Sequence, residues 1–352
     1  MKIKFLQAFH GDSIWISFTE NGINRNILID GGPSTTYTYT DKNKKTKNGA
    51  LKLLVDSLKE KGETLDLVIL THIDDDHIDG FLKWFGKDKD AIRHIKEVWF
   101  NSGRTIKKYL NDTDSEVGSV KFKETTTLTS VQQGIDFENY IRDNGVWDEK
   151  VIAQQDMAEW SNISFKILSP GREKLEKLLK EWHKKRPESV LDTSQKTDYS
   201  KTLSQLIEED SFEEDDDPYN GSSMAFLLQE NGKKEEYLFL GDSHPTEILK
   251  ELGRLKYNED NKLSVEFMKL SHHGSKRNNP IEIFKVVDTA KYVISTNGAS
   301  HNHPDKATIA RIVASNPRAK IYFNYPELIP KIIMDQDRID FPDVEYLSSE
   351  QL

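Results

Sequence analysis

Residues 65–80 read LDLVILTHIDDDHIDG, an apolar run broken only by Asp66 that gives way at Thr71 to a segment packed with histidine and aspartate. Such a run suits a strand buried on both faces. The segment after it sets His72, Asp74, Asp76 and His77 in an H-x-D-x-D-H spacing. A loop leaving the end of a buried strand can turn alternate side chains inward. It would thereby offer imidazole nitrogens and carboxylate oxygens to one or two divalent ions.

On the N-terminal side, the blocks IKFLQAF, SIWISF and RNILID are separated by the turn-rich HGD and ENGIN. They predict three strands in a meander. ALKLLVDSLKEKG, residues 50–62, has apolar positions at helical spacing. On the C-terminal side, FLKWFG predicts a short helix and HIKEVWF a further strand. Residues 102–160 read as an insertion with one helix, SVQQGIDFENYIRDNG, and little β pattern. ISFKIL, SMAFLLQ, EYLFLGDS, SVEFMKLSHHGS and AKYVIST predict later strands, and GREKLEKLLKEWHKKR, HPTEILKELG, NPIEIFKVV and DKATIARIVAS predict helices. Interleaving of this kind predicts a layered α/β fold. Residues 187–219 are polar, and eight of the ten residues in 208–217 are acidic, the pattern of a solvated loop or disordered link.

The chain has 352 residues, 49 Lys+Arg against 59 Asp+Glu for a formal charge of −10, and no cysteine. That length makes one large domain or two ordinary ones. The acidity argues against a surface generally coated by nucleic acid. Eight negative charges lie in the single window 208–217, however, so the remainder is close to neutral and a local basic path is allowed. Without cysteine, any metal must sit on histidine, carboxylate or amide ligands. No apolar run has signal-peptide length or approaches the roughly 20 residues that cross a bilayer, so a soluble, cytoplasmic protein with no membrane partner is expected.

Further ligand chemistry follows other strands: Asp242 after YLFLG, and His272 with His273 after VEFMKLS. One Asp after a strand is ordinarily a cap or turn residue. Three strand ends of ligand chemistry in one chain reverse that weighting. The order THIDDDH, NGSSMAFLL, LFLGDS, LSHHGS, TNGASHNHP resembles the metallo-β-lactamase fold, a four-layer αββα sandwich, specifically the branch related to the metallo-hydrolase domain of the DNA-uptake protein ComEC. FHGDSIWISF and ILIDGGP resemble that branch too. The likeness runs from about residue 3 to 316, leaving out the insertion and the acidic loop. It implies a hydrolase domain over 1–335 and a C-terminal tail over 336–352.

The resemblance implies two divalent ions, Zn or Mn: His72 and Asp74 on one, Asp76 and His77 on the other, Asp242 bridging, and His273 completing the second site while His272 faces substrate. Asp30, and less strongly Asp12, would support the ligands from behind, as would Asn220. Asn220 stands where many members of the wider fold have a ligand histidine, and Asp74 replaces another, which enriches the first site in oxygen and favours Mn²⁺ or loosely held Zn²⁺. His10, which stands where the branch has Gln, is a further candidate for substrate binding. The mechanism expected from this set is attack by a metal-bound hydroxide near Asp74 and Asp242 on a phosphodiester, with His272 or His303 donating to the developing anion.

Lys276, Arg277 and the loop lysines Lys42, Lys44, Lys45 and Lys47 are candidates for phosphate steering. His94, His183 and His244 read as surface or capping residues, and His301 as incidental. The leading expectation is a nuclease acting on nucleic acid. The alternatives are a phosphodiesterase for a small diester, such as a cyclic nucleotide or phosphocholine ester, and a non-catalytic subunit docking partners through the acidic loop or the insertion.

Overall fold

The computed structural model describes residues 1–111, 130–182 and 197–352. The chain divides into two compact units, Met1–Ile152 with Gly171–Leu191, and Ala153–Pro170 with Asp192–Leu352. Among the described residues, no helix is long and apolar enough to cross a membrane.

In the first unit, β1 (Lys2–Phe5), β2 (Ile14–Glu20) and β3 (Ile23–Ile29) form the expected antiparallel meander. A small hairpin follows, β4 (Thr38–Thr40) with β5 (Thr46–Asn48), whose exposed turn carries Lys42, Lys44 and Lys45. Then β6 (Leu65–Ile69) and β7 (Ile95–Trp99) add in parallel, giving the sheet order β1-β2-β3-β6-β7. All five β6 residues are buried. The one polar member, Asp66, is satisfied by Lys96 Nζ at 2.6 Å and the Asn26 amide at 2.9 Å.

The helices of this unit are α1 (Ala50–Glu60), α2 (Asp75–Lys87), α3 (Gly103–Leu110), α4 (Ser130–Asp143) and α5 (Arg172–Trp182). Leu51, Leu54, Val55 and Leu58 are the buried stripe of α1. Rings of α2 and α4 interlock, with Phe85 stacked on Tyr140 at 4.1 Å, and Phe137 of α4 meets Phe100, the residue after β7, edge-on at 5.3 Å.

The second unit holds one long sheet, ordered β17-β16-β15-β13-β11-β10-β9-β8. Its antiparallel half is β8 (Met157–Trp160), β9 (Ile163–Ser169), β10 (Ala225–Glu230) and β11 (Glu236–Phe239). A two-residue strand β12 (Leu263–Ser264) precedes β13 (Phe267–Lys269) and pairs with β14 (Val287–Asp288). From β11 onward the long sheet is parallel: β13, β15 (Lys291–Ile294), β16 (Lys320–Phe323) and β17 (Glu345–Ser348). The helices are α6 (Leu203–Glu208), α7 (Pro218–Gly221), α8 (Pro245–Arg254), α9 (Ile281–Val286), α10 (Lys306–Ser315), α11 (Ile329–Ile332) and α12 (Asp335–Asp340). The core of this unit runs from Leu168 to Val344 through Leu227, Met268, Ile294, Ile309 and Phe323. Each such buried side chain contributes roughly 1.5–3 kcal/mol.

Several expectations are corrected. Residues 336–352 are no free tail: β17 pairs in parallel with β16, and buried Asp337 meets buried Lys306 at 2.6 Å and accepts the Leu203 amide at 2.7 Å. The strand EYLS is too short and polar to signal itself. Within 102–160 there are two described helices, α3 and α4, and β8 joins the second unit's sheet; residues 112–129 lie outside the described residues. Within 187–219, residues 187–196 and also His183 lie outside the described residues, and the remainder is ordered rather than a solvated link, with α6, α7 and buried Asp215.

Candidate metal centre

In each sheet, ligand chemistry gathers at the carboxyl ends of parallel strands, the place where α/β sheets bind ligands. At the end of β3, Asp30 is buried with φ 58°, a left-handed conformation that Asp tolerates better than most residues. After β6, Thr71 donates its amide to Asp30 Oδ1 and its hydroxyl to Asp30 Oδ2, both at 2.8 Å. His72 and His77 are buried with ring centroids 4.1 Å apart. His72 Nε2 lies 3.6 Å from Asp74 Oδ2, and His77 Nε2 lies 3.8 Å from Asp76 Oδ1.

The motif is not a loop throughout. Asp74 is the N-cap residue of α2, so Asp76 and His77 sit in the first turn of a helix. That helix docks backbone to backbone on the turn after β3: Gly80 N donates to Gly32 O at 2.7 Å and Gly31 N to His77 O at 2.8 Å. A Cβ on Gly80 would overlap the Gly31 carbonyl oxygen, which is why HIDG requires its glycine. The middle aspartate turns elsewhere. Burial, with Asp79 beside it, pushes Asp75 up to about 6 against an opposing bond from Gln133 on α4. In the β1–β2 turn, buried Asp12 donates its amide to Asp76 O at 3.2 Å, and its carboxylate and His77 place ligand atoms within 4.8 Å of one another. His10 occupies the same turn, half-buried.

In the second unit, Asp242 follows β11 through Gly241, whose φ of +50° and close approach to Ser223 Oγ exclude a larger residue. The Asp242 amide donates to that hydroxyl at 3.0 Å. His272 and His273 follow β13 with φ of 46° and 54°, two consecutive left-handed residues. This conformation is strained. Asn279 holds it from below, accepting the Ser271 amide and donating to Ser271 O and Ser275 O. Both imidazoles thereby face Asp242 Oδ2, His273 Nε2 at 3.6 Å and His272 Nε2 at 3.9 Å.

His303 packs its ring 4.9 Å from that of His272. Burial holds His303 down to about 4, with Asp305 opposing, so the ring is neutral at pH 7. The expected substrate cations divide. Arg277 is spent on the acidic segment, donating to Glu214 O at 2.9 Å and to Asp216 Oδ1 at 3.3 Å, while exposed Lys276 lies 4.0 Å from Asp305. His244 is buried at the N-cap of α8, 3.7 Å from Asp215, and so is not a surface residue.

Whether these residues suit a metal can be read from their protons. Thr71 gives its single hydroxyl proton to Asp30, so at 3.1 Å it can only accept from His72 Nδ1. His77 Nδ1 faces Asp30 Oδ2 at 2.8 Å and His273 Nδ1 faces Ser295 O at 2.8 Å, both acceptors. Each ring is therefore protonated at Nδ1 and carries its lone pair at Nε2, on the side of a neighbouring aspartate. This is how ligand histidines are prepared. The donor set fits divalent ions bound by imidazole and carboxylate.

Four contributors escape sequence reading. Asp215 lies in the acidic window, yet it accepts Asn220 Nδ2 at 2.7 Å and Asn278 Nδ2 at 3.0 Å. Asn220 itself lies 3.5 Å from His272 Nδ1. Lys269, fully buried in β13, reaches Gly241 O at 3.2 Å and lies 4.0 Å from Asp242 Oδ1. Asn278 and Asn279 follow HHGSKR, where a doubled asparagine before proline signals only a turn. For Asp215 a signal did exist: Asp217-Pro218 is a helix start, so the acidic run ends in ordered structure.

No curated protein matches this chain. Among solved structures it is similar to the metallo-beta-lactamase fold protein YhfI from Bacillus subtilis, with 8% identity, 98% of this chain and 95% of that chain covered and a TM-score of 0.39. It is similar to an isothiocyanate hydrolase from Delia radicum gut bacteria, with 12% identity, 99% and 97% covered and a TM-score of 0.39. A third is Igni18, a metallo hydrolase from the archaeon Ignicoccus hospitalis, with 11% identity, 99% and 95% covered and a TM-score of 0.35. Residues 9–151 match the family model of the metallo-beta-lactamase superfamily. Over that stretch the chain is similar to the metallo-beta-lactamase superfamily, and its mixed α/β architecture is the metallo-beta-lactamase fold, a fold that usually binds divalent metals, typically zinc.

Proposed function

We propose that this protein is a metal-dependent hydrolase of phosphodiester bonds, acting as a nuclease of the ComEC-related branch in the cytoplasm. The observation that carries the reading is the oxygen-rich donor set, in which imidazoles locked at Nδ1–H stand beside Asp74, Asp76 and Asp242 while Asn220 and Asp74 replace histidines usual in the wider fold. Such a set suits two hard or borderline cations, Mn²⁺ or Zn²⁺. Bound there, the ions would supply positive charge to a phosphoryl oxygen and acidify water.

The chain's own residues do the rest. In the first unit His72, His77, Asp74 and Asp76 would hold an ion, in the second His273 and Asp242 would, and Asp30 fixes the rings of His72 and His77. His272, partly exposed and beside Asp242, takes up at Nε2 a proton released by the attacking water and gives it to the leaving oxygen. His303, neutral at pH 7, donates a hydrogen bond rather than a proton. Phosphate steering falls to Lys276 and to the exposed lysines of the β4–β5 turn, because Arg277 is engaged by the acidic segment.

One observation favours the second reading, a small diester. Glu213 and Asp216, 87% and 93% exposed and paired with Arg277, share an acidic segment with Asp215, which lies 3.7 Å from His272, and the net negative charge of that segment opposes a polyanion. The same exposed carboxylates would suit a basic protein partner. The test is metal content by mass spectrometry, followed by assays with Mn²⁺ or Zn²⁺ on a chromogenic phosphodiester and on single- and double-stranded DNA and RNA. Turnover that disappears in Asp242→Ala and His77→Ala is expected. Metal-loaded wild-type protein that cleaves none of these substrates would refute the proposal.

A further inference from the structure

Residues 208–217 cross the second unit as a strap. Arg311, a buried residue of α10, pins one end through Asp210 at 2.9 Å and Ser211 O at 2.9 Å. At the other end Asp217 caps α7 by accepting the Tyr219 amide at 2.8 Å. Between these anchors the Asp215 amide donates to Arg277 O at 3.1 Å, which fixes the strap to the chain just after the histidine pair. The only strongly buried carboxylate of the acidic window is thus delivered to one place, beside His272.

The proton logic there runs through an amide. Asp215 is a carboxylate and only accepts. Asn278 donates Nδ2 to Asp215 Oδ2 at 3.0 Å and to Asp242 O at 3.2 Å, so its Oδ1 must point the other way. That oxygen lies 3.1 Å from His272 Nδ1 and accepts its proton. The His272 lone pair is left at Nε2, the atom 3.9 Å from Asp242 Oδ2.

We infer that Asp215 is a positioning residue for the reaction: acting through Asn278, it holds His272 in the Nδ1–H tautomer with its Nε2 turned toward Asp242. This rests on the role proposed above for His272. Aspartate is required because asparagine could present its own NH₂ to Asn278, turning that amide over. Nδ2 would then face His272 Nδ1, and the imidazole proton would move to Nε2. A neutral ring with Nε2–H can donate a hydrogen bond but cannot relay a proton from that atom.

The test uses Zn²⁺-loaded protein with ¹⁵N-histidine labelling. Wild-type His272 should show a lone pair at Nε2, and Asp215→Asn should move it to Nδ1 with bound metal per chain unchanged. On the chromogenic diester, kcat should fall about 10–100-fold with KM within about twofold. In a His272→Gln background, Asp215→Asn should cost less than about twofold more. If Asp215→Asn fails to fold, Asn278→Ala removes the acceptor directly and should release the same tautomer. An unchanged His272 tautomer, or an unchanged kcat, overturns the inference. If wild-type protein turns over no diester, the proposed function falls, while the tautomer measurement still decides whether Asp215 orients His272.

Discussion

Asp30→Asn should disarm two histidines at once while leaving the fold standing. Asp30 Oδ1 accepts the Thr71 amide, and Oδ2 accepts both the Thr71 hydroxyl and His77 Nδ1. Asparagine keeps the first bond through its own oxygen and tolerates the φ of 58° as aspartate does. Its NH₂ then stands where Oδ2 stood. Facing a donor, His77 Nδ1 must accept, which moves the proton to Nε2. The Thr71 hydroxyl, now receiving a hydrogen bond, turns its proton toward His72 Nδ1 at 3.1 Å and drives the same switch there. Losing such support costs about 10–100-fold in metal affinity, or about 1.4–2.7 kcal/mol. Asp30→Ala would be the poorer experiment, because three buried donors would lose their acceptor at about 1–3 kcal/mol each and the unit would be at risk of unfolding. Competition with a chromogenic chelator gives the affinity, thermal melting gives the stability, and histidine ¹⁵N shifts give the tautomers. Wild-type affinity in a folded Asp30→Asn protein, with lone pairs still at Nε2, would refute the reasoning.

Further predictions concern the frame. Asp337→Ala strands fully buried Lys306 and should cost about 3–5 kcal/mol in urea unfolding; a loss under about 1 kcal/mol would show that the C-terminal segment is dispensable. Gly80→Ala should cost about 1–3 kcal/mol or more and weaken metal binding, since the added methyl lifts α2 from the turn after β3; wild-type values for both would contradict the docking. For Tyr292, burial pushes the phenol up to about 12, with Asn316 opposing and Asp288 assisting. The folded state keeps a proton that the unfolded chain loses above about pH 10, so this contribution is full below pH 10 and falls away as pH rises toward 12, by about 2–3 kcal/mol. Tyr292→Phe should flatten that part of an alkaline stability profile, and an identical profile would exclude the assignment.

What could be seen in the sequence was local. A buried strand ending in H-x-D-x-D-H, an Asp after LFLG and a histidine pair after MKLS are each complete within a few residues, because an apolar run announces the strand and the polar residue after it announces its end. The parts missed depend on partners far along the chain. Asp215 differs from its seven acidic neighbours only because Asn278 and Arg277, more than sixty positions later, receive it, and a charge run read as a block averages that difference away. Arg311 is hidden in the same manner, its guanidinium buried in α10 against Asp210, 101 residues earlier. Likewise Asp337 gives β17 an anchor that the residues of that strand do not advertise.

These long-range pairs share a logic. Asp30, Asp215 and Asp337 are buried carboxylates, and burying a charge is tolerated only when donors surround it. Asp337 spends its donors on the frame, meeting Lys306 and Leu203. Asp30 and Asp215 instead each fix the proton of an imidazole, directly at His77 and through Asn278 at His272. Removing the charge while keeping the shape therefore separates the classes. Asp337→Asn should appear in unfolding with its metal affinity intact, whereas Asp30→Asn and Asp215→Asn should appear in histidine tautomers before they appear in stability. A uniform loss of stability across all three, with tautomers unmoved, would mean that the carboxylates are structural alike and that the histidines are oriented by packing alone.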